Sequence, residues 1–289
     1  MAEVFHASRP GVDGFELPVA VKRILPHLLE TKDFAEMFQQ EANVAACLHH
    51  GNICQVYSLG RDKETLYMAL EYVDGKDLKS IFDRLQELGE RVPAAEACTI
   101  FSAVCEGLDY AHHKLHTDGT PLKLVHRDVS PPNILVSFEG QVKLIDFGLA
   151  KINRPSYHTN SGTIKGKLAY LSPEQMMGDK LDGRSDLFAL GIVMFELFTG
   201  RRMFGRDSDV ATLRAVKEGV IPSLREFRPD APVELEQVML RALAREPEDR
   251  YQSAGSMGEA IRRVAYTKGW HCRSERLGQY VRSLFPAKA

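Results

Sequence analysis

Hydrophobic and polar positions alternate over short runs in the first 72 residues, which predicts strands around a single helix. Leu17 to Leu25 and Leu66 to Tyr72 are extended runs rich in aliphatic residues, as strands are. Between them, apolar residues from Phe34 to Leu48 recur at helical spacing. A polar break at 73–77 follows, and we place the boundary between two lobes there.

From Leu78 onward the periodicity is dominantly helical, which predicts a second, larger helical lobe over residues 73–266. Pro93 precedes a long apolar-periodic stretch, Ala94 to His113. Four later helices are predicted at Ser185–Thr199, Val233–Ala244, Ser253–Ala265 and Arg276–Leu284. Two β-like runs, Val125–Val136 and Gln141–Ile145, carry polar residues at their ends, and the polar stretch Arg154–Lys167 predicts a long loop.

Composition narrows the class of protein. The chain has 289 residues, 44% of them hydrophobic and 26% charged, which argues against a disordered, collagenous or disulfide-scaffold protein. Lysine and arginine number 37 against 39 acidic residues, so the formal charge is -2. Because dedicated nucleic-acid binders are strongly basic, we expect no nucleic-acid partner.

The five cysteines are odd in number and form no CxxC pair, which supports neither a zinc site nor a disulfide framework. Cys98 and Cys105 lie seven residues apart in an apolar-periodic stretch, so we expect them to share a buried helix face. The N-terminus lacks the apolar core of a signal peptide, and no apolar run reaches the length of a membrane span. The expected location is the cytoplasm, with no membrane span.

Three motifs carry candidate chemistry, and their order is informative. Val19-Ala20-Val21-Lys22 is followed nineteen residues later by Glu41 on the predicted helix. His126-Arg127-Asp128-Val129-Ser130-Pro131-Pro132-Asn133 matches the pattern HRDxxxxN, and Asp146-Phe147-Gly148 begins eighteen residues after Asp128. Together they resemble the bacterial serine/threonine protein kinases of eukaryotic-like, or Hanks, type, over residues 1–266.

The resemblance implies an α+β fold with two lobes, a small β-rich N-lobe that lacks the family's first strand and a larger helical C-lobe. It implies ATP and Mg²⁺ as cofactors. Lys22, paired with Glu41, would hold the α- and β-phosphates, and Asp146 and Asn133 would hold metal ions. Asp128 would accept the proton of the substrate hydroxyl.

Other positions take roles by the same resemblance. Leu70 would be the gatekeeper beside the adenine, Glu71 to Val73 the hinge, and Asp77 a ribose contact. Apolar walls of the adenine site would come from Val4, Ala20 and Leu135. Structural roles would fall to Arg127, Phe147, Glu174 of Ser172-Pro173-Glu174, Asp186, and Arg250 as the buried partner of Glu174.

The polar loop would then be the activation segment, where phosphorylation could order the chain by pairing with Arg127 and Lys151. Thr163 is the first-choice phosphosite, eleven residues before Glu174, with Thr159 and Ser161 as runners-up. The alternative is an unmodified loop.

The chain departs from the family's pattern in three places. It opens at Met1-Ala2-Glu3-Val4-Phe5 and contains no GxGxxG. Either the reading frame begins too late, or the protein lacks the family's glycine-rich phosphate loop and first strand, and we expect weak nucleotide binding. Ser130 stands where these kinases place a lysine, and Lys167 where they place a threonine. Lys167 could replace the lost charge or pair with Asp128. Because both positions help to mark specificity, a tyrosine substrate is not excluded.

The last segment, 267–289, is predicted as a basic helical extension. Residues 261–289 carry seven lysines and arginines against the single acid Glu275. This face could attract an acidic partner, or it could be the solvated side of a helix packed by Leu277, Val281 and Leu284. For the whole chain the resemblance implies a kinase that transfers the γ-phosphoryl group of ATP to serine and threonine hydroxyls of proteins, including those of its own activation segment. The alternative is a catalytically weak pseudokinase that acts as a regulatory binding module.

Overall fold

A four-stranded antiparallel sheet forms the smaller lobe of the computed structural model, which describes residues 2–25, 32–63, 65–116, 118–147 and 167–286. Its strands lie in the order β1-β2-β4-β3. They are β1 (Ala2–Pro10), β2 (Glu16–Ile24), β3 (Val56–Asp62) and β4 (Thr65–Glu71). The predicted strands at Leu17–Leu25 and Leu66–Tyr72 are therefore confirmed, and β1 forms one edge of the sheet as described.

Helix α1 (Lys32–Ala46) packs on this sheet through its apolar face, as its helical spacing predicts. Phe38 and Ala42 are buried against Ile24, Leu66 and Met68. Because side chains along a strand alternate between faces, residues opposite one another in the ladder share the face they present. The face that carries Met68 also carries Lys22, its ladder partner. The lysine side chain is thereby directed towards α1.

The larger lobe is helical, with a small sheet next to the lobe boundary. That sheet consists of β5 (Gly75–Asp77), β6 (Ile134–Ser137) and β7 (Val142–Leu144), in that order. The helices are α2 (Leu78–Leu88), α3 (Ala94–His112), α4 (Pro173–Met177), α5 (Gly183–Thr199), α6 (Asp209–Glu218), α7 (Leu224–Phe227), α8 (Val233–Ala242), α9 (Ala254–Thr267) and α10 (Ser274–Leu284). The bilobal α+β fold is confirmed.

The predicted β run Val125–Val136 is wrong over most of its length, because the strand begins only at Ile134. Pro131 and Pro132 cannot donate ladder hydrogen bonds, and they open a 3₁₀ turn, Pro131–Asn133. The amides before them are already occupied by a side chain of α5, as described below. The segment is consequently an irregular loop.

The core of the larger lobe lies between α3, α5, α8 and α9. Helix α5 is buried on all sides, from Ser185 to Thr199. Cys98 and Cys105 are both fully buried on α3, which confirms the expected shared face. Burial raises the pKa of the Cys98 thiol to about 12, so this thiol is chemically inert at neutral pH.

Helix α10, the last helix of the described chain, packs against this core. Leu277, Val281 and Leu284 are almost fully buried in the same cluster as α3, so the predicted packing of this helix is confirmed. Its backbone meets the turn between β6 and β7 so closely that a Cβ on Gly140 would lie 1.7 Å from the Ser274 carbonyl oxygen. No helix in the part of the chain that the structure describes is long and apolar enough to cross a membrane.

Candidate active site

A lysine held between two carboxylates lies in the cleft between the lobes. Lys22 Nζ is 2.7 Å from Glu41 Oε1 on α1 and 2.7 Å from Asp146 Oδ1, which follows β7. Burial lowers the pKa of Lys22, but the charges of Asp146 and Glu41 outweigh it, so the net direction is upward. The ammonium is therefore fully charged at neutral pH, and it ties a strand, a helix and the larger lobe together.

Asp186, at the start of α5, holds the loop that carries Asp128 by hydrogen bonds to the loop backbone. The Asp186 carboxylate accepts hydrogen bonds of 2.8 Å from the backbone amides of His126 and Arg127, and it lies 2.8 Å from His112 Nε2. Arg127 has a φ of 65°, in the left-handed region that favours glycine. Such local strain is typical of functional sites, and here the buried carboxylate holds it in place.

His126 is buried inside the loop as a neutral ring. Its Nδ1 accepts from the Asp128 amide at 3.3 Å, and its Nε2 lies 3.0 Å from the Ile145 carbonyl oxygen, which assigns the proton to Nε2. Burial lowers the pKa of His126, although the nearby carboxylates oppose this. The ring also lies 4.5 Å from the ring of Phe147. His126 thus joins the Asp128 loop to the segment after β7.

Besides His126, the polar groups of Asn133, Ser130 and Lys167 contact Asp128. Asn133 Nδ2 donates to the Asp128 carbonyl oxygen at 2.8 Å, and Ser130 Oγ lies 3.3 Å from the same oxygen. Lys167 Nζ is 2.5 Å from Asp128 Oδ2. Of the two alternatives that the sequence left open for Lys167, the pairing with Asp128 is therefore present in the structure.

Asp146 and Phe147 follow β7 in a constrained turn. Asp146 has a φ of 56°, a second left-handed residue within the site. Phe147 is 2% exposed and packs with Leu48 and Ile53 between the lobes. The buried ring anchors the turn, so the Asp146 carboxylate faces Lys22 and the cleft.

The residues predicted to border the adenine lie on strands of both lobes. Ala20 and Leu70 are ladder partners on β2 and β4, and Leu135 is the ladder partner of Asp77. Val4 lies opposite Lys22 on the edge strand and is 65% exposed. It therefore sits on the cleft face without being covered by another part of the described chain.

The boundary residues also make contacts that bear on their predicted roles. Asp77 caps helix α2 by accepting from the Ser80 amide at 2.7 Å, so its carboxylate has a structural partner. Glu71 lies 2.7 Å from Lys143 Nζ of β7, and Val73 beyond it is half-buried. The Glu71–Lys143 pair was missed from the sequence, because no local spacing relates two residues on separate lobes.

A small cavity beneath Lys22 is enclosed by residues of both lobes. Ile53, Cys54 and Val56 were not anticipated, because they lie outside the predicted helices and strands. The lining residues are Lys22, Glu41, Ala45, Ile53, Cys54, Val56, Met68, Leu70, Leu144, Ile145, Asp146 and Phe147.

A buried ion pair ties the segment before α5 to the far end of the larger lobe. Arg250 donates to both oxygens of Glu174, at 2.7 and 2.9 Å, and Ser185 Oγ donates to the same carboxylate at 2.6 Å. Burial would raise the pKa of Glu174, but these hydrogen bonds hold it below its usual value. The pair links α4 to the start of α5 and to the segment that carries Arg250.

The candidate phosphosites Thr159, Ser161 and Thr163, together with Lys151, lie outside the described residues. Among the residues that the structure describes, the Nε of Arg127 is buried without a hydrogen-bond partner. A buried donor in this state is costly unless something accepts from it. This arginine is therefore positioned to receive an acceptor that the described part of the chain does not supply.

Comparison with known proteins agrees with this geometry. The chain is 42% identical over 261 residues to "Tyrosine-protein kinase MasK" of Myxococcus xanthus, covering 90% of this chain and 40% of that protein. It is 33% identical over 244 residues to "Serine/threonine-protein kinase PrkC" of Bacillus subtilis, covering 84% of this chain and 36% of that protein. The chain thus spans well under half the length of these relatives.

The fold comparison leads to the same family. The crystal structure of the kinase domain of Mycobacterium tuberculosis PknI superimposes with a TM-score of 0.68 at 32% identity, covering 92% of this chain and 91% of that one. Residues 13–260 match the family model of the protein kinase domain. The match covers most of the sequence, and the chain belongs to the protein kinase family.

Proposed function

We propose that this chain transfers the γ-phosphoryl group of ATP to hydroxyl groups of proteins. One observation carries the proposal: Lys22, Glu41, Asp128, Asn133 and Asp146 all border one cleft, with the contacts given above. Phosphoryl transfer needs alignment and charge neutralisation more than covalent chemistry from the protein. These five side chains supply both.

Lys22 and Glu41 would bind the nucleotide. The Lys22 ammonium is aimed into the cleft from β2, and Glu41 keeps it there from α1. A charged ammonium at this point attracts phosphate oxygens, while the hinge residues that follow β4, up to Val73, would offer backbone groups to the base. Loss of the Glu41 contact would leave Lys22 attached to Asp146 alone, and the nucleotide phosphates would lose a fixed cation.

Asp146 and Asn133 fit a magnesium site. The Asp146 carboxylate is 40% exposed towards the cleft, and the Asn133 amide nitrogen is engaged by Asp128, which leaves its Oδ1 as the ligand atom. Mg²⁺ is usually held by one or two protein oxygens together with substrate phosphates. When bound, the ion would neutralise charge that develops on the phosphate oxygens.

Asp128 would accept the proton of the attacking hydroxyl. Asp186 and Asn133 hold the backbone of its loop through hydrogen bonds, so the point from which the Asp128 side chain extends is fixed. A base acts within about 2.6–3.2 Å of the proton it takes. The acceptor hydroxyl must therefore bind within this distance of the Asp128 carboxylate.

Serine and threonine are the proposed acceptors, because relatives such as PrkC of Bacillus subtilis are named serine/threonine-protein kinases. A tyrosine acceptor is favoured by one observation, the 42% identity to a protein named a tyrosine-protein kinase. Phosphoamino-acid analysis of a labelled acceptor decides between them. Phosphoserine and phosphothreonine support the proposal, and phosphotyrosine alone replaces it with the second acceptor class.

Autophosphorylation is part of the proposal. A phosphate on Thr163, or on Thr159 or Ser161, would supply an acceptor for the buried Nε of Arg127. Peptide mapping after incubation with ATP tests this directly. Because ATP is the phosphoryl donor, we also propose that the chain works in the cytosol.

The test of the function is transfer of γ-labelled phosphate to a generic acceptor protein, with Asp128→Asn as the matched control. Label on the acceptor with the native chain alone supports a kinase. Absence of label with both chains, together with retained nucleotide binding, would favour a pseudokinase that acts as a binding module. The missing GxGxxG is the sequence feature that motivates this alternative.

A further inference from the structure

Lys167 brings a cation to the point where the proposed reaction occurs. Its Nζ lies 2.5 Å from Asp128 Oδ2, and its side chain is 44% exposed while that of Asp128 is 9% exposed. The lysine therefore approaches the carboxylate from the solvent side of the cleft. That is the side from which an acceptor hydroxyl must arrive.

Between Asp128 and Asn133 the loop carries no charge that could do the same work. Between Asp128 and Asn133 the sequence is Val129-Ser130-Pro131-Pro132, without a charged side chain. Ser130 is 2% exposed and directs its hydroxyl to the Asp128 carbonyl oxygen. Lys22, held by Glu41 and Asp146, is the proposed contact of the α- and β-phosphates instead of the reacting hydroxyl. A positive charge next to the reacting hydroxyl thus comes from another segment.

A cation at this position reduces the electrostatic repulsion between Asp128 and the transferring phosphoryl group. Asp128 is anionic and the transferring phosphoryl group is anionic, so bringing them to one hydroxyl oxygen is repulsive. An ammonium that touches the carboxylate offsets this repulsion, and its three donors allow it to contact a phosphoryl oxygen at the same time. Cations aimed at charge that develops in the transition state are among the largest contributions to catalysis.

The backbone next to Lys167 is well anchored. Leu168, Ala169 and Tyr170 complete the 3₁₀ turn Lys167–Tyr170 and are all buried. Tyr170 OH donates to the buried carboxylate of Glu196 at 2.6 Å. The turn is fixed to the core on one side, and the lysine side chain extends from it into the cleft.

We propose that Lys167 is a catalytic residue that contacts the transferring phosphoryl group and the base at once. In this step the hydroxyl oxygen bonds to the γ-phosphorus, and the bond from phosphorus to the bridging oxygen breaks, with its electron pair leaving on ADP. The hydroxyl proton passes to Asp128, and Lys167 keeps its protons throughout. The catalytic cation is then delivered by the segment before α4 rather than by the Asp128 loop. This inference rests on the proposed function.

Steady-state kinetics on Lys167→Met, Lys167→Arg and the exposed control Lys217→Met test the role. Removal of one transition-state donor costs about 10²-fold or more in kcat. We expect that loss in Lys167→Met, with the KM for ATP unchanged and the melting temperature retained because the side chain is half exposed. Lys167→Arg keeps the charge and is expected to recover a tenfold part of the loss or more.

A binding measurement gives a second readout that does not depend on turnover. A fluorescent ADP analogue with Mg²⁺ is titrated with and without aluminium fluoride, which mimics the planar phosphoryl group. Transition-state mimics bind about 10²-fold or more tightly than ground-state ligands. We expect fluoride to tighten binding to the native chain and to Lys217→Met, and to have little effect on Lys167→Met, while ADP alone binds all three equally.

The outcomes separate the two claims. An inactive native chain would refute the proposed function and this inference with it. An active native chain whose Lys167→Met variant keeps its kcat, or loses affinity for ADP alone, would refute the inference and leave the function standing. Retained fluoride enhancement in Lys167→Met would also overturn it.

Discussion

Replacement of Arg250 by methionine tests how far the larger lobe depends on one buried ion pair. Arg250 is fully buried and donates five hydrogen bonds, two of them to Glu174. The other three go to the carbonyl oxygens of Ala244, Arg184 and Arg245. Arg250→Met keeps an apolar side chain in place and removes every one of these donors.

The magnitude follows from what is left behind. Glu174 is 8% exposed, so its carboxylate would stay in the interior with Ser185 as its only remaining side-chain donor in the described residues. Breaking a buried pair from one side costs about 3–5 kcal/mol. The total stability of a domain is about 5–15 kcal/mol, so this single change removes a large part of it.

The assay is urea unfolding followed by the fluorescence of Trp270, the single tryptophan, which packs against the core. Arg214→Met is the matched control, because Arg214 forms an exposed pair with Glu218 and such pairs contribute little. We expect Arg250→Met to lose about 3–5 kcal/mol in the free energy of unfolding. A loss equal to that of the control would refute the reasoning.

The same pair gives a pH dependence with a fixed sign. Although burial opposes it, the hydrogen bonds from Arg250 and Ser185 hold the pKa of Glu174 below its usual 4.5. A carboxyl group whose pKa is lowered by folding stabilises the native state above its unfolded pKa. That contribution disappears as the pH falls below 4.5 and through the folded pKa. Arg250→Met should show a weaker fall of stability over this acid range.

Three further changes probe other parts of the structure. Lys22→Met should weaken binding of Mg-ATP by tenfold or more, measured by calorimetry, because Glu41 and Asp146 lose the cation between them; unchanged affinity would contradict the phosphate-binding role. Gly140→Ala should lower the melting temperature by several degrees, since its φ is 86° and its Cβ would strike the Ser274 carbonyl; an equal melting temperature would show that α10 is not docked there. Folding lowers the pKa of His126, mainly by burial, so the free energy of unfolding should decrease as the pH falls below about 6.5. A urea series from pH 7.5 to 5.5 should show a smaller decrease in His126→Phe than in the native chain, and equal slopes would refute this assignment.

Local patterns were enough to predict the regular elements. Helices α3 and α5 have strong apolar periodicity and are confirmed within one or two residues at most ends. The loop after Val125 was predicted as a strand because its sequence is rich in aliphatic residues, as strands are. Two prolines and the hydrogen bonds from the loop backbone to the remote carboxylate of Asp186 prevent a strand here. Of these, only the prolines are visible in the local sequence.

Contacts between distant segments were harder to predict. Lys143 and Glu71 are 72 residues apart, and nothing in either neighbourhood indicates their pair. The fit of α10 depends on Gly140 and Gly278, where two backbones approach closely. For Lys167 the sequence offered two alternatives, since spacing cannot show which side chain a lysine reaches. The contact with Asp128 appears only when the chain is folded.

The most direct test of the central claim is the intact mass of the purified 289-residue chain after incubation with Mg-ATP, beside its Asp128→Asn variant. Asp128 is the proposed base, and the substitution keeps the side-chain shape while removing the charge that accepts the proton. We predict addition of whole phosphate masses to the native chain, with none on the variant. Equal phosphate on both chains, or none on either, would contradict the claim that this cleft performs phosphoryl transfer.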